Sequence, residues 1–344
     1  MVTSPRSRSG GSKATIEDVA RLAGVGTTTV SRVMNGSQLV AAPTREKVLD
    51  AVRKLGYVPN LSARRFRTGR TKTVSMFLPM PGTEFYTRLV DGIDTTLMAA
   101  GYDLALFPLL TPERLERYVS PGALPYQADA VLFASLDPVR LYPDGRVPVP
   151  ADTPVVLVDM VSPLHASVTT DNRLGGALAA ERMLLRPAPT HVIQVEEWTQ
   201  TPFSSGVFGQ RLTGFRDRLV EGGGTLRTED IVLVEFSWGG GRVAMREILQ
   251  KARPPINVFA SCDLMAIGAI DEVTHAGLQV GTDVRVIGFD DIHWAAEREL
   301  TTVRQPIEDM GRAAAEEVIR QIETGVRSRD ALVLQPALKV RASG

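Results

Sequence analysis

The sequence holds one cysteine, Cys262, so no internal disulfide framework is possible, and a lone thiol fits a reducing compartment. No apolar run reaches the ~18 residues that would mark a bilayer-spanning helix. The opening stretch, MVTSPRSRSGGSK, has no apolar core, so neither a signal peptide nor a membrane anchor is expected there. Marks of catalysis are missing as well. There is no G-x-x-x-x-G-K-[ST], H-E-x-x-H, C-x-x-C or G-x-S-x-G. The four histidines, His165, His191, His275 and His293, show no metal-ligand spacing and read as solvated or core residues. The glycine runs Gly222 to Gly224 and Gly239 to Gly241 lack a phosphate-loop context. No enzyme activity, cofactor or metal is therefore expected. Net charge is also absent, since 39 Lys and Arg balance 39 Asp and Glu.

That balance conceals an asymmetry. Through Lys72, fourteen Lys and Arg stand against four Asp and Glu, a net of +10, which leaves −10 for the remainder. A cationic head on an acidic body suggests phosphate binding by the head alone. With 344 residues and 44% apolar content, the chain has enough material for two or three packed domains.

The head is organised around Thr15 to Asn35, TIEDVARLAGVGTTTVSRVMN. Thr15 can cap a first helix starting near Ile16, with Asp18 placed where the helix dipole is positive. Ile16, Val19, Ala20 and Ala23 recur at helical spacing, and Gly24 stops the helix. Val25 plugs the angle, and a second helix from Gly26 buries Val30, Val33 and Met34. Its outward face is Thr27, Thr28, Ser31 and Arg32. That small polar surface suits a major groove about 12 Å wide, with threonine able to touch thymine methyls and arginine able to grip guanine. The alternative is a solvated helical hairpin. A third helix is expected over Thr44–Leu55, closed by Gly56.

Thr15-Ile16-x-Asp18-Val19-Ala20-x-x-Ala23-Gly24-Val25, followed by Thr29-Val30-Ser31-Arg32-Val33-Met34-Asn35, resembles the amino-terminal signature of the LacI/GalR family of bacterial transcription regulators. The resemblance extends over nearly everything after residue 13. It implies backbone contacts to DNA from Thr15, Thr29, Asn35 and Arg64. Pro59 to Phe66 resembles the family's hinge helix, which forms over the operator when two protomers pair. Ala63 and Phe66 then reach the minor groove, with Phe66 standing where the wedge is usually leucine. Ala41 or Ala42 replaces the family's usual serine cap, at a cost of about 1 kcal/mol.

From Thr73 onward, apolar strands alternate with helix-forming stretches: TVSMFLPM, YDLALFPL, ADAVLFAS and TPVVLVDM, then HVIQVEE, DIVLVEF, NVFASC and VRVIGF. One intervening helix is expected over Glu113–Val119. Such alternation predicts parallel sheets with right-handed crossovers. Two such halves point to a hinged, two-lobed α/β body resembling periplasmic sugar-binding proteins, with ligand at the carboxyl ends of strands. Asp290 ends VRVIGF, where a carboxylate can accept bonds from adjacent hydroxyls. Arg211 matches the family's R-x-x-G-F arginine, a fork for oxygen-rich ligands. The alternative for this pair is an ion pair between lobes. Trp238 falls where the family commonly presents a stacking platform, the alternative being core packing. Phe85 and Tyr86 open the first lobe's helix, and Asp159 ends VVLVD. Cys262 stands where many relatives have asparagine, and Asp263 reads as a cap for the next helix.

The expected whole is an all-α helix-turn-helix head with a hinge helix on a two-lobed α/β body. Residues 1–13 form a basic tail, 14–58 the DNA-binding domain, 59–72 the hinge and linker, and 73–344 the effector-binding and dimerisation domain. The first lobe takes 73–171 and 304–332, and the second takes 172–303 and 333–344. Leu300 to Pro306 reads as the strand returning to the first lobe. The expected function is a cytoplasmic, nucleoid-associated homodimeric repressor on a pseudopalindromic double-stranded DNA operator, controlled by a sugar, polyol or nucleoside between the lobes. The alternative is control by a protein corepressor in carbon catabolite control.

Overall fold

The computed structural model describes residues 14–34, 37–57, 70–79, 82–109, 111, 114, 128–142, 144, 145, 147, 149–196 and 206–344. These fall into two compact units, one ending at Thr71 and one starting at Lys72.

Among the described residues, the first unit holds three helices: α1 (Ile16–Ala23), α2 (Thr27–Met34) and α3 (Ala42–Leu55). A capping box starts α1. The Thr15 hydroxyl accepts the Asp18 N–H at 3.3 Å, and the Asp18 carboxylate accepts the Thr15 N–H at 3.0 Å. The Thr15 hydroxyl, which donates to the Asp18 carboxylate, and then the Thr15 N–H hold the Asp18 carboxyl below its usual range. Gly24 ends the helix at φ 67°, a left-handed conformation that costs glycine little. Helix α3 begins two residues before the expected Thr44. Pro43 lies in its first turn, where a missing N–H costs nothing, and Ala41 at the cap makes no side-chain bond. Val19, Ala20, Val30, Val33, Val40, Val48 and Ala51 form the core, with Val25 and Tyr57 packed on it.

The second unit has two six-stranded sheets. The first comprises β1 (Thr73–Leu78), β2 (Asp103–Pro108), β3 (Ala130–Ala134), β4 (Val155–Val158) and β5 (Ala166–Thr170), with a late strand, β11 (Ala331–Leu334). Its order is β11-β5-β4-β3-β1-β2, all parallel. The second comprises β6 (Thr190–Val195), β7 (Ile231–Val234), β8 (Ile256–Ala260), β9 (Val284–Asp290), β10 (Thr301–Arg304) and β12 (Ala337–Lys339), ordered β12-β10-β9-β8-β6-β7. Only β12 runs antiparallel.

The helices of this unit are α4 (Glu84–Ala99), α5 (Pro138–Leu141), α6 (Asn172–Leu184), α7 (Val207–Glu221), α8 (Trp238–Lys251), α9 (Asp263–His275), α10 (His293–Glu297) and α11 (Ile307–Thr324). Apolar strands buried on both faces, such as Ala130–Ala134 and Ile256–Ala260, are what helices on both sides of a parallel sheet produce. Helix α11 packs with α4 over the first sheet, in one core with Leu89, Ile93, Met310 and Ala314. Among the described residues, no helix is long and apolar enough to cross a membrane.

Three boundaries differ from the pattern reading. Strand β5 was not expected, because ASVTT lacks the aliphatic run of its neighbours. The strand at Thr301–Arg304 does not return to the first lobe. It pairs with β9 in the second sheet, and the chain crosses only afterwards. Val333 lies inside β11, paired to Thr169 of the first sheet, so the last crossing follows Leu334. The helix expected over Glu113–Val119 lies outside the described residues apart from Arg114.

Candidate functional site

In the first unit, Val30 and Val33 turn α2 inward, which leaves Thr27, Thr28 and Arg32 exposed and Ser31 half-buried. Thr28, Ser31 and Arg32 are spaced three and four apart and so share one helix face. Thr29 is half-buried beside them. The exposed Thr15 hydroxyl donates to the Asp18 carboxylate at 2.7 Å, so it already serves the cap of α1. Asn35, Ala63, Arg64 and Phe66 lie outside the described residues.

In the second unit, a polar cluster gathers at the carboxyl ends of the strands. Arg211 is held in the first turns of α7 and is only 3% exposed. Its Nε donates to Asn172 Oδ1 at 2.9 Å, and one terminal nitrogen donates to the Ser261 carbonyl at 2.7 Å and to Asp290 Oδ1 at 3.4 Å. The guanidinium lies 3.8 Å over the Phe289 ring and 5.0 Å from that of Phe208. Planar stacking plus three acceptors fixes the fork in one orientation. Asp290 Oδ1 also accepts from the Gln305 amide at 2.7 Å. Burial pushes the Asp290 carboxyl up, and Arg211 pulls it back. The pair lies within the second lobe, on α7 and β9, and is not an interlobe ion pair.

Three first-lobe residues face this cluster. Asp159 follows β4 and Ser135 follows β3, and the Ser135 hydroxyl donates to Asp159 Oδ2 at 2.7 Å. Tyr86, on α4, is buried beside Ser135. Burial raises both the Tyr86 phenol and the Asp159 carboxyl, the latter to about 6, with Ser135 and Arg211 opposing the rise at Asp159. Phe85 lies edge-on to Tyr86, ring centroids 5.1 Å apart. Two contacts tie the lobes at the rim. Glu84 accepts the His293 N–H at 2.6 Å, and Arg88, paired with Glu308, donates to the Asp291 carbonyl at 3.1 Å. Both aspartates at the end of β9 have positive φ, 122° at Asp290 and 57° at Asp291. Such backbone is uncommon for non-glycine residues and is seen where side chains are held for a task.

Trp238 stands apart from this cluster, whereas Cys262 lies beside it, directly after the Ser261 whose carbonyl Arg211 binds. Trp238 is the first residue of α8, 41% exposed, and its indole N–H donates to Asp271 on α9 at 2.9 Å. Arg242 stacks on it at 5.1 Å, so this aromatic lies against α9. Cys262 is fully buried in the aliphatic core of the second lobe, and burial drives its thiol upward. Asp263 is not a helix cap, because Cys262 takes that position. Its carboxylate instead accepts from Thr302 and from the Ile292 N–H. Burial pushes Asp263 up to about 8. Ser135, Asn172 and Gln305 were missed. Each lies immediately past a strand or at the start of a helix, and their identity as partners of Arg211, Asp290 and Asp159 has no local sequence signal.

Residues 15–60 match the model of bacterial regulatory proteins of the lacI family, and residues 201–344 match the periplasmic binding protein-like domain. The chain is 34% identical to the HTH-type transcriptional regulator CelR of Thermobifida fusca, over 96% of this chain and 98% of that one. It is 32% identical to the HTH-type transcriptional repressor PurR of Erwinia tasmaniensis, over 96% of each. Among solved structures, the complex of the transcriptional regulator CelR with cellobiose superposes with a TM-score of 0.71 at 32% identity, covering 96% of this chain and all of that one.

Proposed function

The chain belongs to the lacI family of bacterial regulatory proteins, DNA-binding regulators of transcription, and on that premise we propose a repressor whose operator affinity is set by a hydroxyl-rich effector held between the lobes. The observation that carries the effector reading is the preset pair Arg211 and Asp290, opposite Tyr86, Ser135 and Asp159. Asp290 offers its carboxylate to adjacent hydroxyls, while Arg211, stacked on Phe289, donates to ring or hydroxyl oxygens. Protein contacts alone hold Arg211 in place, so its own ordering costs little on binding. The sugar bound by the similar CelR supports a saccharide.

On the DNA side, Thr27, Thr28, Ser31 and Arg32 read base edges, and Thr15, Thr29, Asn35 and Arg64 contact the backbone. Ala63 and Phe66 enter the minor groove of the dyad. A homodimer supplies two such heads to a two-fold site. Exposed Trp238 and Trp294, with Arg298 bound to Asp271 between them, favour a face of α8, α9 and α10 for that pairing. The effector acts only through its differential affinity for open and closed lobes, and the Glu84 and Arg88 contacts belong to the closed form. Induction and corepression share this coupling with opposite sign.

The test is selection of genomic fragments by the purified full chain, with and without pooled sugars and nucleosides. Enrichment of a two-fold site that one pool weakens or strengthens is the expected result. Salt-dependent binding without sequence preference overturns the repressor reading.

A further inference from the structure

Four aspartates crowd the strand ends: Asp159, Asp263, Asp290 and Asp291. Two have their charge answered by arginine, and a third, Asp263, is bonded at both oxygens. Asp290 meets Arg211 and Gln305, Asp291 meets Arg341 at 2.7 Å, and Asp263 accepts from Thr302 and the Ile292 N–H. Asp159 differs. Its Oδ2 takes the Ser135 hydroxyl, but its Oδ1 is buried and has no hydrogen-bond partner among the described residues. Among the described residues, Ser135 gives its one proton to Asp159 Oδ2 and has none left for Oδ1. Arg211, whose charge reaches Asp159, is held by Asn172, the Ser261 carbonyl and the Phe289 ring, and turning toward Asp159 would break all three contacts.

A buried carboxylate oxygen left bare is costly, and the cost rises when no cation compensates it. Burial raises this carboxyl only to about 6, so it stays mostly ionised near neutral pH. The missing partner is therefore a donor, and best a positive one. We propose that Asp159 selects an effector bearing a protonated amine on a polyhydroxylated ring, an amino sugar in class, with the ammonium donating to Oδ1 while hydroxyls engage Asp290 and Arg211.

This rests on the reading of the cleft as the effector site. A neutral hydroxyl can also donate to Oδ1, but it leaves the charge to Arg211, which is already shared with Asp290, and a charge-assisted bond is about twice as strong. An acidic sugar is disfavoured twice, by Asp159 and by Asp290. Amine against hydroxyl at one ring position should thus differ by about tenfold or more in Kd.

Calorimetric titration of the full chain at neutral pH tests this with matched probes: glucosamine against glucose, galactosamine against galactose, and the fully deacetylated disaccharide of chitin against cellobiose. N-acetylglucosamine keeps the N–H but loses the charge, and glucuronate reverses it. The expected result is that an amine binds about tenfold or more tighter than its neutral twin and its N-acetyl form, and that Asp159→Asn erases the difference. Asparagine removes the buried charge at the same size, and the wild-type comparison stands whether or not that variant folds. A neutral sugar that binds as well as its amine overturns the proposal, as does failure of every amine to bind. If neutral binding is then lost in Asp290→Ala, the cleft remains the effector site and only the amine selection fails. If it survives in Asp290→Ala, the cleft reading fails too.

Discussion

Replacing Gly214 by alanine probes the contact that positions Arg211. Gly214 lies on α7 three residues after Arg211, where a Cβ would stand 1.9 Å from the carbonyl oxygen of Arg173 on α6 and 2.6 Å from its carbonyl carbon. Both are backbone atoms, so no rotamer change relieves the overlap. The reciprocal contact is as tight, with a Cβ at Gly176 falling 2.0 Å from the Arg211 carbonyl oxygen. Alanine must therefore push the helices apart by about 1 Å or more. Overpacking of this kind costs up to about 3 kcal/mol, and the better helix propensity of alanine returns at most about 1 kcal/mol. A net loss of about 2 kcal/mol follows. The same displacement lengthens the 2.9 Å bond from Arg211 to Asn172 and disturbs the stack of Phe215 on Phe259, centroids 4.6 Å apart. Urea unfolding of the full chain measures the stability, and calorimetry measures effector affinity, which should fall as well. Gly209→Ala on the same helix is the control, because nothing lies within 4 Å of its Cβ position. It should be neutral or stabilising by up to about 1 kcal/mol. If Gly214→Ala unfolds at the same urea concentration as the wild type, or a higher one, the close helix crossing is wrong, and with it the reason for a glycine in R-x-x-G-F.

Arg32→Ala should flatten base preference at one position of each half-site, at about 1–3 kcal/mol, in binding assays over operator variants. Unchanged discrimination would move the reading surface off α2. Asp290→Ala should abolish the effector's influence on operator binding while leaving basal binding intact, read by fluorescence anisotropy. A retained response would place the pocket elsewhere. Asp263 bears on pH dependence. Its carboxyl is raised by burial to about 8, against 3.8 unperturbed, so across that range the folded chain holds a proton that the unfolded chain has released. Its contribution to stability is present at the acidic end and is lost as pH rises toward 8. Asp263→Asn removes that loss, so denaturation midpoints from pH 5 to pH 9 should fall less steeply than in the wild type, about 1.4 kcal/mol less per pH unit at most. Parallel slopes for the two proteins would refute the raised carboxyl.

Local chemistry made much of this protein legible from its sequence. The capping box at Thr15 and Asp18, the stop at Gly24 and the apolar spacing of Val19, Val30 and Val33 depend on neighbours within one helical turn, so α1 and α2 were readable before any fold. The apolar strands announced themselves by length and composition, and the ends of VRVIGF and VVLVD located Asp290 and Asp159. What the sequence could not decide was partnership between segments distant in the chain. Asn172, Ser261, Asp290 and Gln305 come together around Arg211 only because the strands stack in parallel and deliver their carboxyl ends to one edge. The same stacking turned Cys262 into the core and Trp238 toward α9, since which face of an element is buried depends on what packs there. Residue type and spacing settled the elements, whose hydrogen bonds are short-range. The tertiary structure settled the site, because burial and charge pairing are properties of the assembled lobes.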